Sequence, residues 1–131
     1  MTRREIREQI FLKLFQIEFH PEEDLTEQLR YLDNEEEMEE TKDTEYIQNK
    51  INAIAAKVTE IDAAINEVAK GWKTTRMGKV DLTLIRLAVY EIRYEESIPT
   101  GVAINEAVEL AKKYGTEESP SFINGILAKI A

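Results

Sequence analysis

The chain has 131 residues, a net charge of −9 and no cysteine. This length suits one domain with a sizeable core, and the lack of cysteine excludes disulfides and thiolate chemistry. No apolar run reaches the roughly 20 residues that a bilayer span needs, and acids interrupt the N-terminus where a secretory signal would be basic and then apolar. We therefore expect a cytoplasmic protein that is not bound to a membrane.

The negative charge is concentrated in one segment of the chain. Residues 18–45 hold 13 acids against two bases, which gives −11 and leaves +2 for the remaining residues. Two stretches are basic, and their residues are Arg3, Arg4, Arg7 and Lys13 in one and Lys70, Lys73, Arg76 and Lys79 in the other. A chain with charges separated in this way can present a basic face despite its acidic total.

In chain order, the first predicted element is a helix that begins at Arg3, because Thr2 and Glu5 have the spacing of a capping box. Its predicted apolar stripe consists of Ile6, Ile10, Leu14 and Ile17. Pro21 predicts the first turn of a short second helix. The acidic run that follows is predicted to be a solvated loop.

A regular apolar pattern then extends from Ile47 to Trp72. Its spacing alternates between four and three residues, which is typical of a helix in a bundle and also of a coiled coil. The repeat covers little more than three heptads, so a bundle is favoured. The pattern leaves open whether this segment is one helix or two with a break near Thr59. Trp72 is expected to close the end of the core.

Three more helices complete the predicted fold. One runs from about Val80 to Glu95, and the next covers residues 102–114 with Gly115 as a left-handed cap. Ser119 and Pro120 are predicted to be the N-cap and first turn of the last helix. No convincing strand alternation occurs in the sequence, so the predicted fold class is all-α.

Motifs for catalysis or metal binding are not found in the sequence. The single histidine, His20, lies beside Pro21, and there is no glycine-rich phosphate loop and no nucleophile elbow. The acids at 22–24 form at best a weak cation site, because no turn-forming glycine accompanies them. We therefore expect a binding protein rather than an enzyme, with no cofactor and no metal.

Basic and aromatic residues are suited to RNA. The three arginines of the first predicted helix can pair with phosphates, or they can form a solvated helix start paired with nearby glutamates. Phe122, close to the start of the last helix, can stack on a base or pack in the core. The cations around Trp72 could support stacking in the same way, although a core position is favoured for Trp72 itself.

Four segments form a specific pattern: Arg7-Glu8, IRLAVYE at 85–91, VAINEAVELAK at 102–112 and FINGIL at 122–127. In these segments the sequence resembles the NusB family of bacterial transcription antitermination factors. The resemblance covers essentially the whole chain, although residues 20–60 match in helical pattern rather than in motif. Bundle packing alone would not require the last two segments together.

The resemblance implies a single all-α domain of about six or seven helices, arranged as two packed small bundles at about 1–72 and 73–131. It also implies a protein partner, NusE, which is a ribosomal small-subunit protein. The implied ligand is the single-stranded boxA element of ribosomal RNA operon transcripts. Together with other Nus factors, this assembly keeps RNA polymerase from terminating early.

The resemblance further implies which residues bind. Carried over by position, the RNA-binding candidates are Arg3, Arg4, Arg7, Arg76, Lys113, Tyr114 and Phe122. The NusE side would include Phe15 and Asp81, whose other roles would be packing between bundles and a favourable charge at a helix start. This chain has few N-terminal arginines and no basic C-terminal tail, so we expect weak RNA binding by the protein alone.

Two other interpretations stay open at this point. One is a NusB-like RNA-binding domain of a truncated rRNA cytosine methyltransferase, since such a domain precedes certain of these enzymes. The other is a homo-oligomeric helical scaffold that uses the Ile47–Trp72 seam. The sequence also leaves open whether a NusB-like chain is a monomer or a homodimer.

Overall fold

A computed structural model of the chain describes residues 1–19 and 42–131. In chain order the elements are α1 (Arg3–Phe19), α2 (Lys42–Ala56), α3 (Val58–Val68), a 3-10 helix (Thr74–Arg76), α4 (Lys79–Tyr94), α5 (Thr100–Tyr114) and α6 (Ser119–Ile130). No strand occurs in these two ranges, and the all-α fold class is confirmed. The predictions made for His20, for the helix at Pro21, for the acids at 22–24 and for the acidic loop lie outside the described residues.

The chain divides into two compact units, Met1–Ala53 and Ile54–Ala131. The first unit contains α1 and most of α2, and the second contains the end of α2 and all later helices. The bundle boundary near residue 72 and the packing of two bundles into one domain stay predictions.

Helix α1 begins where the capping box predicts. The Thr2 backbone N–H donates to Glu5 Oε1 at 3.1 Å, and the Glu5 backbone N–H donates to Thr2 Oγ1 at 3.1 Å. These reciprocal bonds satisfy two of the free N–H groups at the helix start. The predicted apolar stripe is only partly correct, because Ile10 and Phe11 are buried whereas Ile17 is 40% exposed. The large ring of Phe11 draws the buried face toward its own side of the helix.

The Ile47–Trp72 pattern forms two helices. Helix α2 ends at Ala56 and α3 begins at Val58, so the break falls at Lys57, close to the Thr59 position considered from the sequence. The isoleucines that define the pattern are all buried: Ile47, Ile51, Ile54, Ile61 and Ile65. Their side chains therefore pack inside the folded chain.

Helix α4 is the centre of the second unit. Helices α4, α5 and α6 pack against one another, and α3 packs against α4 and α6. Eight residues of α4 are buried, namely Leu82, Thr83, Leu84, Ile85, Leu87, Ala88, Val89 and Glu91. This is more than one helical face, as expected for a helix with neighbours on several sides. The apolar spacing of this helix predicts five inward positions; Leu82, Ile85, Ala88 and Val89 are buried as predicted, whereas Ile92 is only half-buried.

A two-point ion pair connects α3 to α4. Arg86 Nε donates to Asp62 Oδ1 at 2.8 Å, and a second guanidinium nitrogen donates to Asp62 Oδ2 at 2.7 Å. Both side chains are largely shielded, and the paired bonds fix their relative orientation. Arg86 of the IRLAVYE segment therefore has a structural role.

The connection from α5 to α6 differs from its prediction in two respects. Helix α5 ends at Tyr114 as expected, but Gly115 has φ −95° and ψ −166°, so the predicted left-handed cap is wrong. Glycine is required because a Cβ at this position would lie 2.5 Å from Ser119 Oγ and 2.9 Å from the Ala111 carbonyl oxygen. Ser119 is the first residue of α6 rather than its N-cap, which is Glu118. The Oγ of Ser119 accepts a hydrogen bond from the Thr116 backbone N–H at 2.9 Å.

Replacing Gly115 tests this close contact. Gly115→Ala should lower the free energy of unfolding by about 1–3 kcal/mol, since the new methyl group cannot fit without a shift of its neighbours. Urea denaturation measures the change. Gly101→Ala is the matched control, because a Cβ on this helical glycine of α5 would meet no atom within 4 Å. Equal stabilities of the two variants would show that the contact is not tight.

The capping box predicts a pH dependence. Hydrogen bonds from the Thr2 backbone and with its side chain hold the pKa of Glu5 below its ordinary value of 4.5. Folding therefore favours the charged carboxylate, and its contribution is present above the ordinary pKa and is lost as the pH falls through the lowered pKa. An NMR titration of Glu5 should have its midpoint below 4.5. Thr2→Val should raise that midpoint, and an unchanged value would contradict a role of the Thr2 hydroxyl.

Candidate RNA-binding surface

Two buried residues fix the first part of the basic segment between α3 and α4. Ala69, which follows α3, and Thr74, which opens the 3-10 helix, are 5% and 8% exposed. The Thr74 backbone N–H donates to Asn66 Oδ1 at 2.8 Å, and Asn66 Nδ2 lies 3.5 Å from Thr74 Oγ1. The side chain of Asn66 therefore ties this segment to the preceding helix.

The residues between these anchors face outward. Gly71 has φ +84°, a left-handed conformation that glycine adopts without strain, and it turns the chain out of α3. The Trp72 backbone N–H then donates to the Ala69 carbonyl oxygen at 2.9 Å. Residues 69–80 contain no acid, and the side chains of their four cations are exposed: Lys70, Lys73, Arg76 and Lys79. The segment therefore presents a local concentration of positive charge.

Trp72 forms an aromatic pair with Phe122 of α6. The ring centroids are 6.0 Å apart and the rings meet edge to face at 73°, a favourable geometry for aromatic side chains. Trp72 is 57% exposed, so the expectation that it closes the core is wrong. Phe122 is half-buried, which leaves part of its ring accessible. The pair thus combines a fixed position with exposed aromatic area.

The corner between α5 and α6 holds two more of the predicted residues. The Lys113 ammonium lies 5.4 Å from the centroid of the Tyr114 ring, within the range of a cation–π contact. Tyr114 is half-buried and Lys113 is exposed. The Thr116 and Ser119 hydrogen bonds keep the intervening turn compact. Phe122 follows directly within the first turns of α6.

The three predicted arginines of α1 belong to the first unit and are described separately. Arg3 and Arg4 are exposed on the first turn of α1. Arg7 is only 9% exposed, which places most of its side chain inside the folded chain. Arg3 and Arg4 therefore have the accessible guanidinium groups in this cluster.

The two residues predicted to contact a protein partner lie in different units. Phe15 of α1 is half-buried, and its ring centroid is 6.0 Å from that of Phe11. Asp81 stands in the first turn of α4 and is also half-buried. A carboxylate at that position interacts favourably with the helix dipole. Each residue has a packing or electrostatic role within its own unit and keeps some accessible surface.

Residues 1–19 and 42–131 contain neither a metal-binding cluster nor a helix able to cross a membrane. This part of the chain has no group of three or more side chains suited to hold a metal ion. None of its helices combines the length and the apolar character that a membrane crossing requires.

The exposure of Trp72 is the feature that the sequence interpretation missed. Its spacing continued the isoleucine pattern, and this favoured a buried ring. Gly71 immediately before it was the contrary signal, because glycine after an apolar helical run commonly marks the end of a helix. The lysines on both sides of Trp72 also indicate an exposed position, since lysine is seldom buried.

Comparisons with known proteins agree with one another. The model of the NusB family matches residues 4–131. The transcription antitermination protein NusB of Agathobacter rectalis is 54% identical over 131 residues, and the match covers 100% of both chains. The structure of T. maritima NusB has a TM-score of 0.85 at 39% identity, covering 100% of this chain and 91% of that one. A crystal structure of antitermination factors NusB and NusE in complex with dsRNA has a TM-score of 0.80 at 27% identity, with 98% and 94% covered.

These matches confirm the resemblance seen in the sequence. The family match spans nearly all of the chain, and the identity to the A. rectalis protein extends over its full length. The solved structures share the helical fold described above. The chain belongs to the NusB family.

Proposed function

We propose that the chain is a transcription antitermination factor that binds single-stranded boxA RNA of ribosomal RNA operon transcripts as a heterodimer with NusE. The observation that carries the proposal is the pairing of exposed Trp72 with half-buried Phe122 beside a segment with four cations and no acid. Aromatic platforms next to positive charge are what single-stranded nucleic acids bind. The similar crystal structure contains NusB, NusE and dsRNA, and it supports NusE and RNA as the two partners.

In this proposal each group of residues has a separate role. One or two bases stack on Trp72 and Phe122, while Arg76 and Lys113 neutralise adjoining phosphates. Tyr114 holds Lys113 in place through the cation–π contact. Among the three arginines of α1, Arg3 and Arg4 reach phosphates more readily, because Arg7 is largely buried.

We propose that NusE supplies positive charge for RNA binding, which this acidic chain has only locally. A protein with a net charge of −9 attracts RNA only through its local basic surface, so a partner with further positive charge should increase affinity. Phe15 and Asp81 are the proposed contacts with NusE, one through its ring and the other through its carboxylate. The complex then acts with other Nus factors on RNA polymerase, in the cytoplasm where transcripts are made.

The other two interpretations have less support. A scaffold assembled along the Ile47–Trp72 seam needs accessible isoleucines, but these side chains are buried and the seam is interrupted at Lys57. The A. rectalis relative, which is matched over its whole length, is an antitermination protein, and this favours a NusB function over a methyltransferase domain. The RNA and NusE binder is therefore the function we favour.

One prediction of the proposed function concerns the affinity for RNA. Isothermal titration calorimetry should show that the chain binds boxA RNA more tightly than scrambled RNA, and that added NusE increases this affinity. The physical reason is that a second basic surface releases further counterions from the RNA. Equal affinity for both RNAs, with and without NusE, would refute the proposed function.

Another prediction of the proposed function concerns the Trp72–Phe122 pair. Trp72→Ala and Phe122→Ala should each weaken binding of boxA RNA by the NusE complex by about 1–3 kcal/mol, the usual contribution of one stacked base. Tyr94→Ala is the matched control, because Tyr94 is an exposed aromatic of the same unit, at the end of α4, outside the basic segment. Helicity and NusE binding should be unchanged in all three variants. If Phe122→Ala lost helicity, Phe122 would belong to the core and the proposed stacking role would be wrong.

A further inference from the structure

The outer side of α6 continues from the aromatic pair along a row of three residues. Phe122, Gly125 and Lys129 are spaced three and four apart, so they lie along one side of the helix. Gly125 and Lys129 are exposed, and Phe122 is half-buried. From the helical rise, Lys129 stands about 10 Å from Phe122 along the axis. The row is therefore long enough to contact more than one nucleotide.

Gly125 has no evident purpose within its own unit. It is in the middle of α6, where alanine would favour the helix more than glycine does. A Cβ at this position would meet no atom within 4 Å, so packing does not require a small residue. Its backbone is also ordinary, because Gly71 is the residue with a positive φ in the described ranges. The remaining physical reason for glycine is the close approach of another molecule.

The charge of α6 indicates which molecule fits. The helix contains no acid and one cation, Lys129. The nearest acid along the chain is Glu118, which is at the N-cap, on the far side of Phe122 from Lys129. Along α6, the ring of Phe122 is therefore followed by the exposed backbone at Gly125 and then by the ammonium group of Lys129. This order matches a base, the sugar–phosphate backbone and a phosphate of one single strand.

We propose that the bound RNA strand runs along α6, with its backbone passing over Gly125 and a phosphate pairing with Lys129. The proposal rests on the function proposed above and extends that surface by two residues. The proposed path of the strand over the protein leads from the Trp72–Phe122 pair to the C-terminal end of α6.

Gly125→Ala should have opposite effects on stability and on binding. The Tm should rise by roughly 2–5 °C, because alanine stabilises an exposed helix position. Binding of boxA RNA by the NusE complex should weaken by about tenfold, because the methyl group holds the backbone away from α6. Gly101→Ala is the control, since Gly101 is likewise exposed and without a neighbour within 4 Å, but lies on α5. It should leave RNA affinity unchanged.

Lys129→Gln tests the phosphate contact independently. The slope of log Kd against log salt concentration should decrease by about 0.7, the value for one phosphate contact on a single strand. Lys57→Gln removes an equal charge from an exposed lysine at the α2–α3 break and should leave the slope unchanged. NusE binding should be normal in every variant.

The outcomes separate this proposal from the proposed function. If the wild-type complex binds boxA RNA and Gly125→Ala binds it equally well, the path along α6 is wrong and the function stands. If Gly125→Ala weakens NusE binding instead, the row belongs to a protein interface and the path is also wrong. If the wild-type complex shows no preference for boxA RNA, the proposed function itself fails.

Discussion

The hydrogen bonds between Asn66 and Thr74 are the constraint on which the proposed surface depends. They hold the start of the 3-10 helix against α3, while Gly71 turns the chain outward a few residues earlier. Trp72 lies between these two fixed points and is 57% exposed. The side-chain amide of Asn66 thus helps to position the largest aromatic residue of the chain beside its cations.

The distribution of charge explains how an acidic protein can offer a surface to RNA. Residues 18–45 hold 13 of the 26 acids against two bases, whereas the charged residues of the segment before α4 are all basic. Because the Debye length at physiological salt is about 8 Å, exposed charges that are far apart along the surface are largely screened from one another. A phosphate bound at Arg76 therefore responds mainly to the charges within about that distance.

The sequence was sufficient to predict the parts of this structure that depend on local rules. The capping box at Thr2 and Glu5, the all-α class and the helix of the IRLAVYE segment follow from spacing and periodicity. Residues such as Trp72 and Gly115 were mispredicted because their surroundings are tertiary. The period of a helix gives no information about a ring beyond its end, and the contact with Ser119 that requires Gly115 is invisible until α5 and α6 are packed. The roles of the site residues in binding stay predictions.

The aromatic pair has a practical consequence. Trp72 is the single tryptophan of the chain, and it stands at the proposed binding surface with more than half of its side chain in solvent. Its emission therefore arises from one place on the molecule, next to Phe122. A base stacked on the indole would quench that emission. No second indole contributes to the signal, so changes in the first unit add no tryptophan emission of their own. The protein carries an intrinsic fluorescent label at the site where its ligand is proposed to bind.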